Sequence, residues 1–459
     1  MSTPASFPAI RPPAVGFWQA FRFWLKLGFI SFGGPAGQIA IMHTELVEKR
    51  RWIGEQRYLH ALNYCMLLPG PEAQQLATYI GWLMHGTWGG ITAGALFVLP
   101  SMFILMGLSW VYLAFGQVPA VAAVLYGIKP AVTAIVAFAA WRIGSRTLRN
   151  WLLRGLAAVA FLALFALQLP FPLIIAGAAL AGAVGGRLVP ALFAAGGGHG
   201  GAAQSHGAAL IADDGPIPAH ARFRWQGLMK VVVTGLILWG GSLGFLASRY
   251  GWDGALTQMS WFFTKAAWLT FGGAYAVLPY VYQGAVEHYH WLTPHQMIDG
   301  LALGETTPGP LIMVVTYVGF VAGWGSALFG PDHLILAGVA AAAIVTWFTF
   351  LPSLLLILAG GPLVESTHGN LRITAPLVGI TAAVVGVIVN LAVFFGWHVF
   401  WPEGFGGRFD AASALIAAIA LLALIRYKTG VIPVIAGCGA AGLLIFFIKA
   451  WLDQAGVPS

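Results

Sequence analysis

The chain has 459 residues, of which 59% are hydrophobic and 8% charged, with a mean hydropathy of +0.81 and a formal net charge of +8. No soluble domain can bury so large an apolar share, so the composition points to helices that face lipid. The positive excess falls mostly in short loops, where it orients a membrane protein, and no nucleic-acid module is present.

The first fifteen residues are proline-rich and lack a signal-peptide core. Beyond them, Phe23-Trp-Leu-Lys-Leu-Gly-Phe-Ile-Ser-Phe-Gly-Gly34 returns as Phe262-Phe-Thr-Lys-Ala-Ala-Trp-Leu-Thr-Phe-Gly-Gly273. The same offset pairs Ser31 with Thr270, Glu48 with Glu287, Trp52 with Trp291, and Pro69-Gly70-Pro71 with Pro308-Gly309-Pro310. After a small gap, Thr78-Tyr-Ile-Gly-Trp82 matches Thr316-Tyr-Val-Gly-Phe320, and Leu99-Pro-Ser101 matches Leu351-Pro-Ser353. The chain therefore reads as a tandem duplication. The expected division is a first repeat over 1–192, a Gly/Ala/His linker over 193–227, a connecting transmembrane helix over 228–247 and a second repeat over 255–459. The linker reads as flexible. His199, His206 and His220 within it lack tight ligand spacing, so no metal is expected there, and no cofactor elsewhere. Cys65 and Cys438 form neither a disulfide framework nor a metal motif.

Loop charge orients the halves. Lys49, Arg50, Arg51 and Arg57 crowd one loop of the first half, and Arg142, Arg146, Arg149 and Arg154 another. The matching stretch 287–295 has neither Lys nor Arg, and 398–410 has only Arg408. Conversely, the uncharged loops 116–119 and 168–172 match loops carrying Arg372 and Arg426/Lys428. Positive residues mark the cytoplasmic side, so the repeats are expected to be inverted relative to each other. If loops 49–57 and 142–154 share a side, an even number of crossings separates them. The expected fold is thus an all-α polytopic membrane protein of two inverted-topology repeats. Each would comprise two broken-helix hairpins, broken in the first half at Gly33-Gly34-Pro35 and Pro69-Gly70-Pro71, and about four crossing helices. The alternative is that each broken element spans once, giving roughly thirteen spans.

The breaks are where chemistry is expected. A helix that restarts at membrane depth exposes unpaired N–H groups and the positive end of its dipole, which suits an anion. Gly33, Gly34, Gly272 and Gly273, with Gly70, Pro71 and Gly309, would form these tips and let a ligand approach the backbone. Ser31 and Thr270 precede the first breaks, and Lys26 and Lys265 lie one to two turns upstream. Gln74, Gln75, Thr306 and Thr307 are polar groups near the second breaks. Glu72 and Glu305 are candidates for coupling or gating, with Glu72 also readable as a helix cap. Lys129 reads as a packing or interface lysine. An intramembrane enzyme acting on a lipid phosphate would need convergent acid, base and phosphate-binding residues. The membrane segments contain no Ser-His-Asp set, no His-Glu-x-x-His and no phosphate loop, so no enzyme is expected.

Phe32-Gly-Gly-Pro35, Leu67-Leu-Pro-Gly-Pro-Glu-Ala-Gln-Gln-Leu-Ala77 and Gly304-Glu-Thr-Thr-Pro-Gly-Pro-Leu-Ile312 resemble the chromate ion transporter family in its long, two-domain form. Trp52, Trp291 and the Leu-Pro-Ser motifs fit as well. The resemblance implies a multi-pass inner-membrane protein that exports chromate and confers chromate resistance, with sulfate as a chemically similar anion. Proton coupling and a homodimeric assembly stay open.

Overall fold

The computed structural model describes residues 13–193, 209–213, 215–216, 218–366 and 374–454. His199, His206 and Arg372, which entered the sequence reading, lie outside the described residues. The protein is an all-α polytopic membrane protein. Among the described residues the one strand-like pairing is an isolated bridge between Ile53 and Ile211.

The first half comprises α1 (Phe17–Ile30), α2 (Gly34–His43), α3 (Glu55–Cys65), α4 (Glu72–Phe115), α5 (Pro119–Thr147), α6 (Trp151–Phe165), α7 (Phe171–Leu188) and the short α8 (Pro190–Phe193). Then α9 (Trp225–Tyr250) runs between the halves. The second half comprises α10 (Ala255–Leu269), α11 (Ala274–Tyr282), α12 (Pro294–Thr306), α13 (Val314–Gly325), α14 (Leu334–Ser366), α15 (Thr374–Phe400), α16 (Ala411–Arg426) and α17 (Val431–Gln454). Among the described residues, seven segments are long and apolar enough to cross a membrane: α4, α5, α7, α9, most of α14, α15 and α17.

The duplication is visible in backbone detail. A π-helical turn follows α2 at Thr44–Lys49 and another follows α11 at Gln283–His288. Arg51 and His290, at matching positions, both adopt φ of 53°. The long α4 has a non-helical joint at His85 and Gly86, and its counterpart in the second half is divided into α13 and α14.

The halves interlock by exchange. α5 packs against α15, α16 and α17, and its counterpart α15 packs against α5, α6 and α7. Small residues let these backbones approach closely. A Cβ at Gly442 on α17 would lie 2.7 Å from the Gly127 nitrogen on α5, and one at Gly379 on α15 would lie 2.9 Å from the Gly182 Cα on α7.

Residues 209–213, inside the stretch expected as linker, are held against the first half. Leu210 and Ile211 donate backbone hydrogen bonds to Arg51 and Trp52, and Gly54 donates to Ile211. Asp213 accepts from the Arg57 backbone N–H at 2.9 Å. His220 places its Nε2 2.9 Å from the Trp82 carbonyl.

Candidate functional site

The interrupted helices converge on one another across the duplication. The Gly309 N–H donates to the Ser31 carbonyl at 2.7 Å, and the Gly70 N–H donates to the Thr270 carbonyl at 2.7 Å. Ser31 corresponds to Thr270 and Gly70 to Gly309, so each half gives its first break to the other half's second break. This is the reciprocity of a two-fold contact, in which residue i meets j and j meets i.

The Leu-Pro-Ser motifs obey the same exchange. Ser101 on α4 lies beside Gly309, where an added Cβ would come within 2.7 Å of the Ser101 Cβ. Ser353 on α14 lies beside Gly70, where an added Cβ would come within 2.6 Å of the Ser353 Oγ. Gly70 has φ of 127° and Gly309 of 98°, so a side chain there would meet backbone strain as well as the serine. Gly33, Gly34, Gly272 and Gly273 also have positive φ, at 90°, 68°, 75° and 96°, and turn the chain between the paired helices.

The N-caps of α2, α4 and α11 are Gly33, Pro71 and Gly273, and none makes a side-chain cap hydrogen bond. No side chain caps these ends, although in the first turn of α11 the Ala276 N–H donates to the Gly273 carbonyl at 3.1 Å. Pro35 in the first turn of α2 suits a position whose N–H has no helical partner.

Around the junction lie buried amides and hydroxyls. Gln38 on α2 is fully buried and bridges the halves, its Nε2 donating to the Gly309 carbonyl and, at 3.4 Å, to that of Ser31. Gln75 donates to the Pro69 carbonyl at 2.8 Å. Gln74 accepts from the Ser353 hydroxyl at 3.0 Å and donates to Thr78 at 3.1 Å. The Ser101 hydroxyl, Gln38 Oε1 and Gln75 Oε1 are buried without a hydrogen-bond partner among the described residues. Buried polar atoms in this state ask for an occupant, because leaving them bare costs about 1–3 kcal/mol each. The Ser101 hydroxyl and the uncapped helix N-termini offer donors to an oxyanion, whereas the bare Gln38 and Gln75 Oε1 atoms are acceptors that call for water or another donor.

The residues singled out from sequence divide into two groups. Those brought to the junction are Ser31, Thr270, Gly70, Pro71, Gly309, Gln74 and Gln75. The Ser31 and Thr270 hydroxyls, however, donate back to Leu27 and Ala266 within their own helices, both at 2.7 Å, so it is their carbonyls that serve the junction. Thr306 and Thr307 likewise spend their hydroxyls locally, on Leu303 and Gly304. Glu305 is buried and accepts from the Tyr275 hydroxyl. Glu72 opens α4 half-buried.

The lysines lie elsewhere. Lys26 is exposed and lines a cleft of about 390 Å³ with Trp18, Arg22 and Arg50. Lys265 is half-buried, its Nζ 5.8 Å from the centre of the Trp261 ring. The residues beside these contacts that the sequence did not mark as site candidates are Gln38, Ser101 and Ser353. The repeated Leu-Pro-Ser was the available signal for the serines. Gln38, a lone amide in an apolar helix, had no counterpart to mark it.

The sequence profile of the family described as chromate transporter matches residues 18–183 and again 257–443. The chain is 31% identical over 453 residues to the chromate transport protein of Pseudomonas aeruginosa, covering 97% of this chain and 96% of that one. It is 28% identical over 441 residues to the chromate transport protein of Cupriavidus metallidurans, covering 95% and 94%. It is 28% identical over 385 residues to a probable chromate transport protein of Synechococcus elongatus, covering 84% and 86%. No solved structure matches. The duplicated halves, their paired breaks and these relatives agree: the chain belongs to the chromate transporter family.

Proposed function

We propose that the protein exports chromate from the cytoplasm across the bacterial inner membrane as a secondary transporter, and so confers chromate resistance. The observation that carries this reading is the reciprocal pairing of Ser31 with Gly309 and Gly70 with Thr270, which sets uncapped helix starts and unpartnered buried polar atoms beside these two contacts.

Chromate and sulfate are tetrahedral dianions that accept hydrogen bonds on every face. Backbone N–H groups, the Ser101 hydroxyl and the remaining N–H of the Gln75 amide would donate to such a ligand, and the positive ends of the helix dipoles oppose its charge without a metal. Arg22, Lys26 and Arg50 around their cleft raise the local concentration of anions by long-range attraction, while Lys265 adds positive field in the second half.

The direction follows from the membrane potential. Moving each charge outward gains ~2.3 kcal/mol per 100 mV, so a dianion gains about 4.6 kcal/mol, equivalent to roughly three decades of concentration. Alternating access would come from the two repeats, inverted as their loop charges suggest, rocking about the junction so that it opens to one side at a time. Glu72 and Glu305, beside the second breaks, are the proposed gating groups.

The test is reconstitution. Proteoliposomes loaded with radiolabelled chromate or sulfate, held at set voltages, should release chromate faster as the potential opposing outward charge movement is removed. Sulfate flux of equal size would move the assignment to a general oxyanion carrier. Absence of either flux in folded protein would end it.

A further inference from the structure

Away from the tips, two buried polar clusters join the halves, and they are built alike. In one, Glu365 on α14 accepts from the Tyr79 hydroxyl on α4 at 2.6 Å and pairs with Arg57 on α3 at 2.6 Å. In the other, Asp299 on α12 accepts from the Tyr112 hydroxyl on α4 at 2.9 Å and has Lys129 of α5 at 3.6 Å. Tyr317, the counterpart of Tyr79, stands against Tyr112 with ring centroids 5.6 Å apart. Each cluster sets an acid from the second half against a base and a tyrosine from the first.

They differ in saturation. Both oxygens of Glu365 are engaged, and its partner Arg57 is held further by the Ala212 carbonyl at 3.2 Å. Asp299 is 3% exposed, yet its Oδ1 has no hydrogen-bond partner among the described residues. One turn earlier on α12, the half-buried His295 has a buried Nδ1 that is also unpartnered, and its ring lies 6.2 Å from that of His398 on α15. The first cluster is closed, whereas the second has a vacant acceptor.

A metal ion fits the vacancy poorly, because a single carboxylate beside an ammonium offers it few oxygens and a repelling neighbour. A proton needs only one acceptor. We propose that Asp299 is a proton-binding site linked to anion transport, with Lys129 as its counter-ion and the His295 and His398 imidazoles as exchange partners. Protonation adds H⁺ from water to Oδ1, converting carboxylate to acid, while Lys129 stays an ammonium. The pair then changes from neutral to net positive, which favours a dianion in the protein. By reciprocity the anion favours proton uptake. The other groups facing Asp299 are the phenols of Tyr112 and Tyr317. The 311–313 turn brings no titratable side chain, and α17 carries Cys438, packed in the apolar cluster with α5 and α16, and the exposed Lys449.

The linkage rests on the transport reading above, but proton binding itself does not, and two measurements separate them. Infrared difference spectra of purified protein between high and low pH, without anion, should show a protonated-carboxyl band that Asp299→Asn loses. In detergent, chromate binding should take up about one proton per anion, an uptake lost in Asp299→Asn while anion binding persists. If Asp299→Asn does not fold, Lys129→Gln serves, and should move the band to higher pH. A band and a proton uptake unchanged in folded Asp299→Asn would overturn the proposal. A band present in protein that binds no chromate would keep the proton site and refute the transport reading instead.

Discussion

The two halves share a backbone plan and differ in what they hang on it. Both break after a Ser or Thr, both turn through Gly-Gly, and both carry a Pro-Gly-Pro whose glycine pairs with the other half. Yet the buried amides at the junction, Gln38, Gln74 and Gln75, all come from the first half. The position matching Gln38 is Val277, and the turn after the second Pro-Gly-Pro is the apolar Leu311–Met313. Symmetric backbone with asymmetric side chains is what a duplicated carrier needs if the paired breaks are mechanical and the ligand contacts are specific. In the proposed site the first half would supply the contacts and the second the matching geometry.

The largest expected effect breaks the closed cluster between the halves. Arg57→Ala leaves Glu365 buried without its cation and should cost about 3–5 kcal/mol, seen as a fall in the unfolding midpoint of the purified protein. Next is the backbone plan itself. Gly309→Ala forces a side chain into positive φ against Ser101 and should cost about 1–3 kcal/mol, with Gly70→Ala comparable if the halves are equivalent there. A large loss at one glycine and none at the other would show that the pairing is not mechanically symmetric.

Lys26→Ala should slow flux several-fold at low salt and little at high salt, since its role is long-range attraction across the cleft it shares with Arg22 and Arg50. Equal loss at all salt concentrations would instead mean direct contact with the anion. The smallest effect is at Glu45, whose hydrogen bond from Lys49 holds its carboxyl below the usual range. Its matching position is Gly284. A depressed carboxyl contributes stability above its unfolded value near pH 4 and loses it as pH falls through the folded one. Glu45→Gln should therefore cost a few tenths of a kcal/mol at neutral pH and nothing in acid, by thermal unfolding.

Much of this was legible in the sequence because repetition marks it. Gly-Gly, Pro-Gly-Pro and Leu-Pro-Ser each occur twice, and all three sit at or beside the breaks. The partner of each break was not legible, since local pattern cannot say that Ser31 meets Gly309 rather than Gly70. The lysines illustrate the limit differently. Repetition drew attention to Lys26, but helical phase places it with Arg22, Phe29 and Ile30 on the exposed stripe of α1, opposite the buried Phe23, Trp24 and Leu27. Asp299 and Glu365 were missed because no counterpart repeats them. Each is paired only through the exchange between halves, which appears in three dimensions alone.

The central claim, that the oxyanion is held where the breaks meet, is tested most directly at Gln38. Gln38→Glu keeps the size of the side chain and puts a negative charge at the junction. Radiolabelled chromate flux in proteoliposomes should fall by about tenfold or more, a barrier of at least ~1.4 kcal/mol, in protein that still elutes and unfolds cooperatively. Flux equal to that of the parent protein would place the anion elsewhere.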